Sequence, residues 1–298
     1  MKNSVSLRLL QLSLIPEIGP STIQNLLEKI GADDFLNLHQ FKVADFLALG
    51  LSLPRANHLV RGLQDDKQLT QELNLISKYH VKWTTINDQD YPYLLRQIPG
   101  APAILYWTGN LVSWPERALA VVGSRQANQY GNRVIDEIVP QLVQAGYAIV
   151  SGGALGADAM AHRAALAAGG VTIVVGGTGL QHAYPAQHAR LFAQIAANGG
   201  AVVSNFAMNV AGFAGNFPAR NRIISGLSQG CLVVQAAEQS GAKITAHFAL
   251  EQGREVFVIP GCFGDPLSAG CHRLAQQGAK VVHNITDILG EFTPLVAS

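Results

Sequence analysis

The residues of this sequence whose types and spacing could do chemistry are cations set among glycines, with an aromatic beside them. Arg125 follows Gly123-Ser124 directly after the apolar run Ala118–Val122. Ser151-Gly152-Gly153 and Gly176-Gly177-Thr178-Gly179 end two further apolar runs, and Pro260-Gly261 closes another. Glycine lets a backbone come close to an anion, and free N–H groups at the start of the next helix can then bind it. The segment Asn216-Phe217-Pro218-Ala219-Arg220-Asn221-Arg222 adds an aromatic, two arginines and two amides, with Pro218 suited to a first helical position. Lys243 stands at the next helix entry, in Ser240-Gly241-Ala242-Lys243-Ile244-Thr245. Guanidiniums beside an aromatic can grip a single nucleic-acid strand, phosphates by charge and bases by stacking. The same spacing equally fits a Phe217 in the core, with Arg220 and Arg222 ion-paired on a helix face.

Other chemistries lack their residues. A dinucleotide site needs G-x-G-x-x-G after the first strand and an acid near the second. Here the first turn is Gly123-Ser124-Arg125 and the second strand ends in Ser151, which disfavours a nicotinamide cofactor. No G-x-x-x-x-G-K-S/T is present, so this is not a P-loop nucleotidase, and no nucleophile elbow or acid–base carboxylate pair appears. Asp158 and His162 stand four apart on one helix face but have no third metal ligand; Asp158 is expected to cap its helix and orient His162. His182 and Tyr184-Pro185 read as a loop lining the glycine pocket.

The elements that must position these residues are short. Apolar runs at Ala118–Val122, Tyr147–Val150, Val171–Val175, Ala201–Val203, Cys231–Val234, Glu255–Ile259 and Lys280–Val282 alternate with helical stretches. Continuous rather than alternating apolar runs mean strands buried on both faces, hence a mostly parallel, doubly wound α/β sheet. Ligands of such sheets bind beyond the carboxyl ends of the strands, where the glycine turns stand. Upstream, a polar helix spans about 66–79, and strands are expected at Val81–Ile86 and Ala103–Trp107. The first 65 residues are helical by period, broken at Pro16-Glu17-Ile18-Gly19-Pro20. The stretch Leu14–Ile30 resembles a helix-hairpin-helix, with a weaker echo from Leu47 to Leu63. Such a turn either presents N–H groups to a phosphate or merely packs two helices, and acidic Glu17 without flanking Lys or Arg favours packing.

Composition bounds the reading. Of 298 residues, 48% are hydrophobic and 14% charged, which describes a globular chain with a substantial core. The net charge is +1, so a polyanion would have to be held by a local cluster and not by bulk charge. Three cysteines without CxxC spacing imply reduced thiols, no zinc site and a cytoplasmic location. No signal peptide or apolar run long enough to cross a bilayer is evident.

Taken together, six segments in order resemble the DNA-processing protein A (DprA, or Smf) family. They are Tyr91-Pro92 with Ala101-Pro102; Val122-Gly123-Ser124-Arg125; Ser151-Gly152 through Asp158 to His162; Tyr184-Pro185; Phe217-Pro218-Ala219-Arg220-Asn221-Arg222; and Ser240-Gly241 to Thr245 with Pro260-Gly261. The resemblance covers about residues 80–290. It implies a sterile-alpha-motif-like helical domain (1–65), an extended Rossmann-like domain (66–292) and a short tail (293–298), without the C-terminal winged-helix-like domain of many members. It further implies single-stranded DNA binding, homodimers through the Rossmann-like domain, and loading of the RecA recombinase onto DNA entering in natural transformation. The family is not known for enzymes, and no cofactor or membrane association is implied. Carried over by motif, Arg125 is the principal phosphate contact, and Gly123, Ser124, Ser151 and Gly152 shape the pocket. Phe217 stacks on a base, and Arg220, Asn221 and Arg222 hold DNA backbone or structure.

The sequence departs from the family pattern in several places. Leu155 replaces a usual basic residue, Ala214 stands where some members carry lysine, and Ser204-Asn205 and Gln235 replace a Ser-Glu pair and a glutamate. The pocket is thus less basic than the family norm and leans on Lys243. An enzymatic alternative is a nucleoside-monophosphate phosphoribohydrolase of the related lysine-decarboxylase-like (LOG) group, whose glycine turn is followed by a catalytic glutamate. Here Leu180 and Gln181 follow the turn instead. A third reading makes the domain a dimerisation scaffold and its glycine turns mere bends.

Overall fold

The computed structural model describes residues 2–292; the expected tail, 293–298, lies outside them. Helices α1 (Ser4–Leu14), α2 (Pro20–Lys29), α3 (Ala32–Leu36), α4 (Val43–Ala48), α5 (Leu53–Gln64) and α6 (Lys67–Lys78) come first. Their apolar stripes, with Leu9, Leu12, Ile23, Leu26, Phe46, Leu59 and Ile76 buried, meet Ile104 and Tyr106 of the sheet in one shared core. The two helix–turn–helix units of the sequence are α1–α2 and α4–α5. In the first turn Glu17 takes a left-handed φ of 65°, and in the second Gly50 takes φ 90°. The Glu17 carboxylate lies 3.8 Å from His58 Nδ1.

Strand β1 (Lys82–Thr85) is followed by the short helix α7 (Tyr93–Arg96) and strand β2 (Ile104–Thr108). The alternation then runs β3 (Ala118–Val122), α8 (Gln129–Gln144), β4 (Ala148–Ser151), α9 (Ala157–Ala167), β5 (Thr172–Val175), α10 (Ala189–Ala197) and β6 (Ala201–Ser204). It continues with α11 (Asn216–Gly226), β7 (Gly230–Val233), α12 (Gly241–Glu251), β8 (Glu255–Val258), α13 (Ala269–Gln276), β9 (Lys280–Val281) and α14 (Thr286–Leu289). The strands form a nine-stranded sheet in the order β1-β2-β6-β5-β4-β3-β7-β8-β9. Strands β3 to β9 are parallel, while β2 runs antiparallel to both β1 and β6.

Every residue of β3 is buried, as a strand covered on both faces requires. Its alternate side chains feed two layers. Ala118, Ala120 and Val122 face a core closed by Ile223 and Ile224 of α11 and by Ala246 of α12. Leu119 and Val121 face Ile135 and Val139 of α8 and Ala161 of α9. Asn128 caps α8, its side chain accepting the Tyr130 N–H at 2.9 Å, and Ser240 caps α12 through the Ala242 N–H at 3.3 Å. Among the described residues no helix is long and apolar enough to cross a membrane.

The strand order reverses beside β3. From there the chain winds outward through β4, β5 and β6, returns over α11, and lays β7 on the other side of β3. Ligand crevices of open α/β sheets form at such a switch point, outside the carboxyl ends of the strands. Here α11 is the crossover itself. The helix that carries the aromatic–arginine segment is therefore the one that must pass over the crevice.

Candidate nucleic-acid interface

A cleft of about 680 Å³ opens at the switch point, lined by Gly123, Ser124, Arg125, Phe217, Arg220 and Asn221 together with Gly241 and Thr245 of α12. The turn after β3 is held from below. The Ser124 N–H donates to the Gln235 carbonyl at 2.7 Å, and the Ser124 carbonyl accepts the Ala157 N–H at 3.1 Å. A Cβ on Gly123 would stand 2.7 Å from that of Ala157, so the close approach of the two turns requires glycine. Gly156, the residue before α9, has φ 72° and would place a Cβ 2.3 Å from the Ser124 carbonyl oxygen. Gln235 also accepts the Asn128 N–H through Oε1 at 3.1 Å, which ties the start of α8 to β7.

The two arginines nearest Phe217 divide their work. Arg220 is buried, 5% exposed, and its Nη1 donates to the Gly152 carbonyl at 2.5 Å and to the Val175 carbonyl. Its Nε donates to Asn221 Oδ1 at 3.1 Å. The guanidinium thus closes the carboxyl ends of β4 and β5. A Cβ on Gly152 would lie 2.8 Å from both Arg220 Nη2 and Asp158 Oδ2, so glycine here makes room for two buried charges. Burial pushes the Arg220 pKa down to about 10, with Asp158 opposing that shift and Arg125 adding to it. Burial likewise raises the Asp158 pKa, against the pull of Arg220 and of the Ala154 N–H at 3.2 Å.

Arg125, by contrast, is exposed and forms no ion pair among the described residues. Its Cζ and that of Arg220 each lie 5.9 Å from the Phe217 ring centroid. Half-buried Phe217 packs on Gly177, whose missing Cβ leaves space for the ring, and tilts against Tyr184 with centroids 5.2 Å apart. One guanidinium builds the floor under the ring and the other stays at the mouth, free to meet an anion.

The remaining sequence-level candidates fall in different places. Ser151 is fully buried, its hydroxyl donating to the Val121 carbonyl at 2.6 Å, so it shapes the turn from inside. Asn221 reaches the Gly241 carbonyl at 3.4 Å across the cleft. Arg222 turns away from the cleft: it donates to the Pro99 carbonyl and lies over the Phe248 ring at 5.7 Å. Lys243 is held at the rim by Glu238, donating to its carbonyl at 2.9 Å with the carboxylate 3.5 Å away. Neither the ion-paired helix face nor the all-core reading of the segment describes this arrangement. Helix α11 begins at Asn216, two residues earlier than expected, so Pro218 takes the third position, where a missing N–H is still no loss.

Two expectations need correction. Asp158 does not orient His162: it faces Gly152 and Arg220, while His162 Nδ1 meets Thr172 Oγ1 at 2.7 Å. Full burial pushes the His162 pKa down to about 3, which marks a neutral core histidine. Among the described residues no cluster of metal-binding side chains exists. The third glycine turn also does not line this cleft: Gly176 and Thr178 instead line a separate pocket of about 150 Å³ with His182 and Tyr184. Asn216 Nδ2 donates to the Gly177 carbonyl at 3.2 Å and Phe217 covers Gly177, so α11 itself lies over that residue. Sequence reasoning missed Gln235 as the clamp beneath Ser124, because its partners Asn128 and Ser124 lie 107 and 111 residues away along the chain.

Comparison with known proteins agrees with this architecture. The model of the family described as DNA recombination-mediator protein A matches residues 82–293. Protein Smf of Escherichia coli is 48% identical over 199 residues, which are 67% of this chain and 53% of that protein; the match thus spans about half of the relative's length. DNA processing protein DprA of Streptococcus pneumoniae is 42% identical over 228 residues, covering 76% of this chain and 78% of that one. The crystal structure of the Streptococcus pneumoniae DprA superposes with a TM-score of 0.83 at 34% identity, over 98% of this chain and 99% of that chain. A Helicobacter pylori DprA structure, described for its single-stranded DNA binding mode, superposes with a TM-score of 0.63 at 28% identity, over 72% of this chain and 96% of that one. With the family model matching residues 82–293, most of its length, the chain belongs to the DNA recombination-mediator protein A family.

Proposed function

We propose that the chain binds single-stranded DNA in the switch-point cleft and acts as a recombination mediator. The observation that carries this is the half-buried Phe217 ring flanked by two guanidiniums, of which Arg125 alone is exposed and unpaired. Arg125 takes a phosphate, Phe217 a base, and the Ser124 turn supplies the surface between them. The single-stranded DNA described for the Helicobacter pylori relative supports the same ligand class. Arg220, Ser151, Gly123 and Gly152 act as framework, Asn221 spans the cleft, Lys243 lends charge at the rim, and Arg222 acts from outside it.

The role is one of binding without catalysis. Asp158, the carboxylate nearest the strand ends, is committed to the Ala154 N–H and to the field of Arg220. The phosphoribohydrolase alternative would need an acid after Gly179, where Leu180 and Gln181 stand. In the cell the protein would be cytoplasmic, protect incoming DNA and load RecA. It would act as a homodimer through the Rossmann-like domain.

Fluorescence anisotropy with labelled oligothymidylate tests the core of this reading. Binding to single strands is expected to exceed binding to duplex and to weaken with salt, by a log–log slope of about −0.7 per phosphate neutralised. An Arg125→Glu variant that binds as tightly as the parent overturns the assignment. Release of free base from nucleoside monophosphates would revive the enzymatic alternative. Light scattering and RecA filament assembly on coated single strands test the dimer and the mediator role.

A further inference from the structure

The cleft is poor in free cations, and two exposed aromatics stand beside its lining, Tyr184 against Phe217 and Phe213 next in sequence to Ala214. Ala214 lines it where a cation would add charge, Leu155, next to the lining residue Ala154, is 42% exposed and apolar, and Lys243 is engaged by Glu238. Against this, Tyr184 is 49% and Phe213 66% exposed. Their placement is specific. Tyr184 tilts on Phe217 at 5.2 Å, and the same Tyr184 ring lies 3.5 Å from where a Cβ of Gly212 would be, next in sequence to Phe213. The Phe213 ring folds over Gly215, the residue that opens α11, approaching to 2.7 Å the place of an absent Cβ.

The segment carrying Phe213 is small-residued at its tip, Ala211-Gly212-Phe213-Ala214-Gly215, yet its base is fixed. The Gly179 N–H donates to the Val210 carbonyl at 2.8 Å, Asn216 Nδ2 reaches the Ala211 carbonyl at 3.3 Å, and the Asn216 N–H donates to the Phe213 carbonyl at 3.0 Å. The backbone is therefore anchored on both sides while the ring itself stays in solvent. An anchored loop that presents an apolar ring outward at the rim of a strand-binding cleft has the form of a stacking platform.

Building on the single-stranded DNA reading, we propose that Phe213 and Tyr184 extend Phe217 into an aromatic ladder that receives successive bases. The grip then rests on base stacking more than on phosphate charge. Phe213 is the element of this ladder that the glycine and arginine motifs do not contain.

The test compares a short oligothymidylate with an abasic strand of equal length and charge, over a series of salt concentrations. The parent is expected to bind oligothymidylate with a shallow salt dependence and the abasic strand at least about tenfold more weakly, the equivalent of one lost stack. Phe213→Ala is expected to lose about fivefold to tenfold in affinity for oligothymidylate and nothing for the abasic strand, with Phe213→Trp restoring affinity and showing quenched fluorescence on binding. Tyr184→Ala should behave like Phe213→Ala, and unchanged thermal melting confirms that each variant is folded. If the parent binds oligothymidylate but prefers it no more than the abasic strand, or if Phe213→Ala binds as the parent does, the ladder is wrong while the cleft assignment stands. If the parent binds no single strand at all, the underlying reading fails first.

Discussion

Replacing Arg220 by methionine removes the buried guanidinium while keeping much of its length, and the structure sets the cost. The Gly152 and Val175 carbonyls lose their shared donor, and Asp158 loses the positive charge that offsets its burial. Each buried carbonyl left without a partner costs about 1–3 kcal/mol, and Asp158, which makes no direct ion pair with Arg220, loses the weaker stabilising field of that charge. These terms overlap, because Asp158 can take up a proton, so the whole effect is about 3–5 kcal/mol. At roughly 2 °C per kcal/mol for a chain of this size, Arg220→Met should melt about 6–10 °C below the parent. Arg125→Ala, at an exposed and unpaired site, should melt within about 1 °C of it, and should instead lose DNA affinity and flatten the salt dependence. Adding Asp158→Leu to Arg220→Met removes the stranded carboxylate and should recover part of the loss. Calorimetry of the four proteins decides the matter. An Arg220→Met variant that melts with the parent, or an Asp158→Leu change that only adds to the damage, refutes the division of the two arginines into framework and grip.

Other perturbations follow from the same geometry. Gly156→Ala would force a left-handed alanine against the Ser124 carbonyl; it should cost at least about 2 kcal/mol in denaturant titration and weaken oligonucleotide binding. Gly241→Ala, where an added Cβ meets nothing within 4 Å, should leave stability within about 0.5 kcal/mol and serves as its control. His162 has its folded pKa lowered from 6.5 to about 3, so its neutral form contributes stability that is complete above pH 6.5 and is lost as pH falls toward 3. Between pH 6.5 and 4.5 this amounts to about 2 kcal/mol, and His162→Gln should show a correspondingly flatter melting profile over that range. Buried Glu72 accepts the Met208 N–H at 2.9 Å and has a pKa raised chiefly by burial. Glu72→Gln keeps an acceptor without a buried charge and should melt at or above the parent near neutral pH, whereas Glu72→Leu strands that N–H and should cost about 1–3 kcal/mol.

Much of the fold is legible in the sequence because its strands are short and buried on both faces. Runs such as Ala118–Val122 have no other stable use than a covered parallel sheet, and the glycines after them mark where strands must turn. The aromatic–arginine segment is likewise visible as a unit. Its internal assignment is not: Arg220 and Arg222 stand two apart in one helix, and only packing decides which points inward. At helical spacing two residues differ by about 200° around the axis, so one reaches the carbonyls of β4 and β5 while the other meets Pro99.

The tertiary structure also decided what the glycine turns leave open. Three turns look alike in sequence, but the crossover from β6 to β7 carries α11 over the third and sets Asn216 and Phe217 against its Gly177. The placing of Asp158 beside Gly152 in the field of Arg220, and the clamp of Gln235 under Ser124, arise in the same way. Sequence by itself determined the elements, the class of sheet and the residue types at the strand ends, since periodicity and turn chemistry are local. Which of those residues became floor, rim or core was decided by strand order. That order brings together groups remote along the chain, and burial then assigns each charge the partner it can reach.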